Sequence, residues 1–168
     1  MKTFASHVHL INTDAAPNLL HPHRLCYGRL KLEGKGTMHV GIGKVRIQRH
    51  TDGELYVSDK RVVAYRPSLW RGGKGEGLTV TPALAALDQE KRTLLNSNVY
   101  DFLFSHKSLV PASWRDVTVR FLGTRLSNDK GELYSPCISV YEDGRVLFSE
   151  DWLEYACFNE FSAAASLG

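Results

Sequence analysis

The chain has 168 residues, 43% apolar and 23% charged, with a net charge of +3; this suits one ordered domain that buries a core without disulfides or metal, and excludes a disordered chain. No run of about 18 apolar residues occurs, and Cys26, Cys137 and Cys157 are widely spaced with no CxxC, so a membrane helix, a disulfide framework and a thiolate zinc site are all unexpected. The charge is split: residues 1–80 carry 13 Lys plus Arg against 6 Asp plus Glu (+7), and residues 81–168 carry 8 against 12 (−4).

Residues 4–11 alternate in apolar character and predict a strand, with His7, His9 and Ile11 on one side and Val8 and Leu10 on the other. His7, His9, Asn12 and Asp14 interrupt the apolar character of the amino terminus, so no leader peptide is expected, and a reducing cytoplasm is the expected compartment. RLCYGRLKLE reads as a second strand. MHVGIGKVRIQRH, residues 38–50, reads as a long third one, with Gly41 and Gly43 marking a bulge or bend where another backbone comes close.

TDG at 51–53 predicts a hairpin turn into ELYVS, and RVVAYR adds a strand. PSLWRGGKGEG, residues 67–77, predicts an exposed loop presenting Trp70. Thr81 and Pro82 signal a helix start, NSN at 96–98 a break, and a second helix follows over about 98–108. DVTVRFLGTRL, GELYSPCISVY and VLFS predict an antiparallel meander; Ser149 is placed to cap a last helix, and the tail SAAASLG is expected to fray.

Strands and helices cluster rather than alternate, which predicts an α+β fold with mainly antiparallel pairing. In this reading two hairpin-bearing β regions flank a central helical segment, and a carboxy-terminal helix follows. The expected organisation is a single domain over 1–168, with subdomains at 1–80 and 81–168.

The histidine pairs HVH and HPH raise metal binding: His7 and His9 on one strand face, completed by His21, His23 or Cys26, would give a zinc or open transition-metal site, with Asp14 as a carboxylate partner in a hydrolase or nuclease. The opposing reading makes them ordinary strand and turn residues. Cys26, beside His23 and Arg24, is the one thiol placed for nucleophilic attack, whereas Cys137 and Cys157 read as core residues. GKGTMHVGIGK and GGKGEG fail the phosphate-loop pattern, because neither lysine is followed by Ser or Thr.

The most extensive feature is the basic front. Lys44, Arg46, Arg49, Lys60, Arg61, Arg66, Arg71 and Lys74 are interleaved with Tyr56, Tyr65 and Trp70, a composition that pairs phosphate neutralisation with base stacking. The expected function is non-enzymatic binding of an anionic partner, nucleic acid first and an acidic protein surface second, through those cations and Trp70. No cofactor and no membrane partner are expected.

Overall fold

The computed structural model describes residues 7–20, 29–71, 77–155 and 158–168, with the side chains of Arg71 and Tyr155 left out. Ten strands join in one sheet: β1 (His9–Asn12), β2 (Met38–His39), β3 (Lys44–Arg49), β4 (Leu55–Val57), β5 (Lys60–Tyr65), β6 (Val117–Arg120), β7 (Thr124–Ser127), β8 (Leu133–Val140), β9 (Val146–Trp152) and β10 (Ser162–Leu167). The path runs β1-β3-β4-β5-β10-β6-β8-β7-β2, with β9 along the other edge of β8. Pairing is antiparallel except between β10 and β6, so the sheet is mixed. Three short helices accompany it among the described residues: α1 (Ser68–Arg71), α2 (Val80–Gln89) and α3 (Ser97–Ser105).

This architecture corrects the α+β expectation of two β regions around a helical segment with a helix at the end. The chain is mostly sheet, and its carboxy terminus is a strand. Strand β9 runs on through Ser149 to Trp152, paired with Cys137 and Tyr134, so Ser149 caps nothing. The tail expected to fray is a central strand: Ala164 and Ala165 pair with Tyr65 and Ala64 on one side, while Ala163 and Ala164 pair with Val119 and Arg120 on the other. Alanine favours helices in isolation, but here both faces are already occupied, and only small side chains fit between the packed layers. All three alanines are fully buried.

Other boundaries shift for local reasons. The long third strand divides at the glycines. Strand β2 pairs with β7 and β3 with β1, because a Cβ on Gly41 would lie 2.7 Å from the Thr13 carbonyl and Gly43 sits at φ +81°. The segment DVTVRFLGTRL likewise splits into β6 and β7, which follow one another along the same edge of β8. Helix α2 begins at Val80 with Thr79 as cap, two residues before Pro82. One turn of helix, α1, forms inside the expected loop.

The core lies on both faces of the sheet. On one face Ile47, Leu55, Val57, Val119 and Ile138 pack against Val99, Tyr100 and Leu103 of α3 and against Trp114. On the other, Trp70 with Ala83 and Leu87 of α2 covers Ala164, Leu122, Leu153 and Phe158. Among the described residues this second layer packs on the middle of its face. No helix among the described residues is long and apolar enough to cross a membrane.

Asn96 joins these layers. Its Oδ1 accepts the Asn98 N–H at 3.0 Å and so caps α3, while Nδ2 donates to the carbonyls of Thr13 at 2.8 Å and Val40 at 3.1 Å. The residue is 2% exposed. Asn96→Ala removes the cap and both Nδ2 hydrogen bonds, the one to the buried Thr13 carbonyl included, an expected loss of about 2–3 kcal/mol. Urea denaturation is the check: the midpoint should fall at unchanged slope, and an unshifted midpoint would contradict this role.

Candidate nucleic-acid interface

The part of the second face that no described helix covers is built by β1, β3, β4 and β5, where Leu10, Lys44, Arg46 and Arg61 are exposed. In β3, Val45 and Ile47 are buried, so Lys44, Arg46 and Gln48 project outward by the two-residue period of a strand. Cross-strand register places Asn12 beside Lys44 and Leu10 beside Arg46. It also runs Gln48, Tyr56 and Arg61 in one row across three strands. The β3 to β4 turn is closed by Gly53 N–H to His50 O at 3.0 Å, with Gly53 at φ +83°. This returns His50 over the row, where its ring stacks on Tyr56 at 3.6 Å with planes 10° apart.

Hydrogen bonds hold this platform in place. Gln48 Nε2 lies 2.7 Å from His50 Nε2, and the Tyr56 hydroxyl donates to Asp52 Oδ2 at 3.0 Å. The Glu54 backbone N–H and then the Tyr56 hydroxyl hold the Asp52 carboxyl below its usual range, and the same carboxylate raises the Tyr56 pKa. Arg46 pairs with Asp59 at 2.8 Å and Arg61 with Glu54 at 3.4 Å. Asp59, at φ +68°, reaches Arg46 from the tight β4 to β5 turn. Among the described residues Lys44 has no ion-pair partner.

An exposed ion pair contributes about 0–1 kcal/mol, so an incoming phosphate displaces Asp59 from Arg46 at little cost. Lys44, Arg46 and Arg61 supply cations at strand spacing, and the His50 and Tyr56 rings supply a stacking surface between them. The arrangement is chemically suited to a single strand laid across β3, β4 and β5.

The candidates read from sequence separate on the structure. Lys44, Arg46 and Arg61 come together on this face. Arg49 and Lys60 share the parity of buried Ile47 and Val62 and belong to the rim of the opposite face, where Arg49 Nη1 donates to the Ser108 carbonyl at 2.9 Å. The Arg66 guanidinium donates to the Glu160 carbonyl, tying the end of β5 to the start of β10. Trp70 is a correction: it is 1% exposed, its ring packs on Phe158 and its Nε1 donates to the Ala83 carbonyl. A buried ring cannot stack on a base. Lys74 and the Arg71 side chain lie outside the described residues.

Sequence reasoning missed His50, whose ring is brought over Tyr56 only by the hairpin turn. The turn signal TDG carried that information. Val8 and Leu10, 50% and 77% exposed, extend the same face with apolar surface along the edge strand.

For the histidine reading, His21, His23 and Cys26 lie outside the described residues, as does Cys157. No group of three or more metal-ligating side chains forms among the described residues. His9 instead meets His106 at 4.7 Å and Phe102 at 5.0 Å, and Asp14 Oδ1 accepts the Gly43 N–H at 3.1 Å. Cys137 is fully buried 3.1 Å from Ser149 Oγ, and burial pushes its thiol far up, away from nucleophilic reactivity.

Burial first, then His106 and His7, hold the His9 pKa below 6.5. The unfolded chain therefore takes up the proton first as pH falls. The contribution of neutral His9 is complete above about pH 6.5 and is lost as pH drops through that value toward the lower folded pKa. Amide exchange across Leu10–Asn12, corrected for intrinsic rates, should lose protection between about pH 7 and about pH 5. Equal protection at both would contradict this linkage.

Comparison with known proteins gives no match: no family model fits the chain, and no curated protein and no solved structure is similar to it.

Proposed function

We propose that the protein is a non-enzymatic binding module whose open β1-β3-β4-β5 face holds single-stranded nucleic acid. The observation that carries this reading is the outward row of Lys44, Arg46, Gln48, Tyr56 and Arg61 with His50 stacked on Tyr56. Cations along strands neutralise phosphates, and rings between them accept bases of any sequence. A single strand suits this geometry better than a duplex, because a flat sheet face has no helix to enter a groove and unstacked bases reach the rings.

Exposed Val8 and Leu10 favour a second reading, an acidic protein surface with an apolar anchor, on the same face. Anisotropy titration with labelled single- and double-stranded DNA and RNA at low and moderate salt separates the two. Salt-sensitive binding that prefers single strands supports the first reading. Absence of binding to any nucleic acid would remove it and direct the search to acidic proteins.

A further inference from the structure

Away from the open sheet face, a cavity of about 380 Å³ lies between β2, the end of α2 and the start of β7. That volume is at the small end of ligand-binding pockets. Met38, Ile42 and Leu94 give it apolar walls, and Asp88, Arg92 and Arg125 its charged ones. The two arginines differ. Arg92 is occupied, its guanidinium 4.0 Å over the Tyr65 ring and its Nε donating to Ser166 Oγ at 3.1 Å. Arg125 Nε is buried without a hydrogen-bond partner, and among the described residues its guanidinium makes no ion pair or hydrogen bond.

The buried Nε is costly, because its lost water is not replaced, while the terminal guanidinium nitrogens are not buried and can meet a ligand. Burial draws the side chain's pKa down, with Asp88 opposing from a distance. The β7 backbone holds it there, since Arg125 pairs with Met38 of β2 and the next residue, Leu126, with Tyr134 of β8. A planar five-donor fork fixed in an apolar-walled cavity matches a carboxylate. We propose that this cavity binds a small monocarboxylate, its carboxylate on Arg125 and its apolar body against Met38, Ile42 and Leu94. Asp88 in the same cavity repels a second negative charge, which disfavours dianions such as phosphate.

Calorimetric titration of the full chain with benzoate, benzyl alcohol and inorganic phosphate tests this. Benzoate should bind saturably, and benzyl alcohol and phosphate each at least about 10-fold more weakly. Arg125→Gln should weaken benzoate at least about 10-fold while raising or preserving the melting temperature, since it removes the buried, unpartnered Nε–H. Should that variant fail to fold, Val40→Trp tests the same point: Val40 lines the cavity and is 50% exposed, so the larger ring fills the space and leaves Arg125 in place. Three results would overturn the proposal: no benzoate binding, benzyl alcohol or phosphate binding as tightly as benzoate, or benzoate affinity unchanged in a folded variant.

Discussion

Trp70→Ala lowers the unfolding free energy by about 3–5 kcal/mol, the range for deleting a large buried aromatic. The ring is 1% exposed and meets Phe158 at 4.8 Å with planes 59° apart, inside the cluster of Ala83, Leu87, Leu122, Leu153 and Ala164. Alanine leaves a cavity at the layer that fastens α2 to the middle of the sheet, where helix and strands relax only in part. Nε1 also donates to the Ala83 carbonyl at 3.2 Å, so Trp70→Phe loses a hydrogen bond and some volume, about 1–2 kcal/mol. In a chain of this size the alanine variant should melt on the order of 10 °C lower. Nucleic-acid affinity of the fraction that remains folded should be unchanged. A stable Trp70→Ala protein that has lost binding would contradict the buried role and restore the loop as a contact.

The second large effect is on binding. Reversing two cations on the open face, Lys44→Glu with Arg46→Glu, should weaken single-strand binding about 10- to 100-fold at low salt. It should also flatten the dependence of log K on log salt by about 1.4, at roughly 0.7 for each phosphate no longer neutralised. Both side chains are exposed, so stability should move by no more than about 1 kcal/mol, chiefly from the broken Arg46–Asp59 pair. The control is an equal charge change on the other side of the sheet, Arg49→Glu with Lys60→Glu, which should alter affinity less than about threefold. If the two double variants weaken binding equally, net charge alone governs the interaction and the face has no special part in it.

Local structure with a local cause was legible in the sequence. Residues 38–50 read as extended and contain β3, TDG marked the hairpin, and Gly41 and Gly43 marked a close backbone approach, which the structure identifies as Thr13. NSN at 96–98 marked the break before α3, and the structure makes its first residue, Asn96, the cap. What failed depended on partners distant in the chain. SAAASLG carries helix-favouring alanines and becomes a strand because β5 and β6 stand ready on either side of it. Trp70 sits in a glycine-rich stretch that reads as solvent-exposed, and it is buried because Phe158 and α2 arrive to cover it.

The same distinction applies to the site. Lys44 and Arg46 fell on one face because strand parity is local, whereas Arg49, Lys60 and Arg61 were grouped with them by charge alone, and only cross-strand register puts Arg61 on that face and the other two opposite. His50 escaped notice because its stacking on Tyr56 depends on the geometry of the turn between them. Arg125 lay in a segment that read as one continuous strand, and its lack of a partner emerges only when β2, α2 and β7 close around it.

The measurement that tests the central claim most directly is an amide chemical-shift titration of the isotope-labelled protein with a short single-stranded oligonucleotide at low salt. Perturbations should concentrate on Lys44–Arg49, Leu55–Val57 and Arg61, with the His50 and Tyr56 backbone amides among the largest, and should leave α3 and the β8 to β9 hairpin unmoved. Shifts confined to α3, to that hairpin or to no region at all would contradict the assignment of the open face.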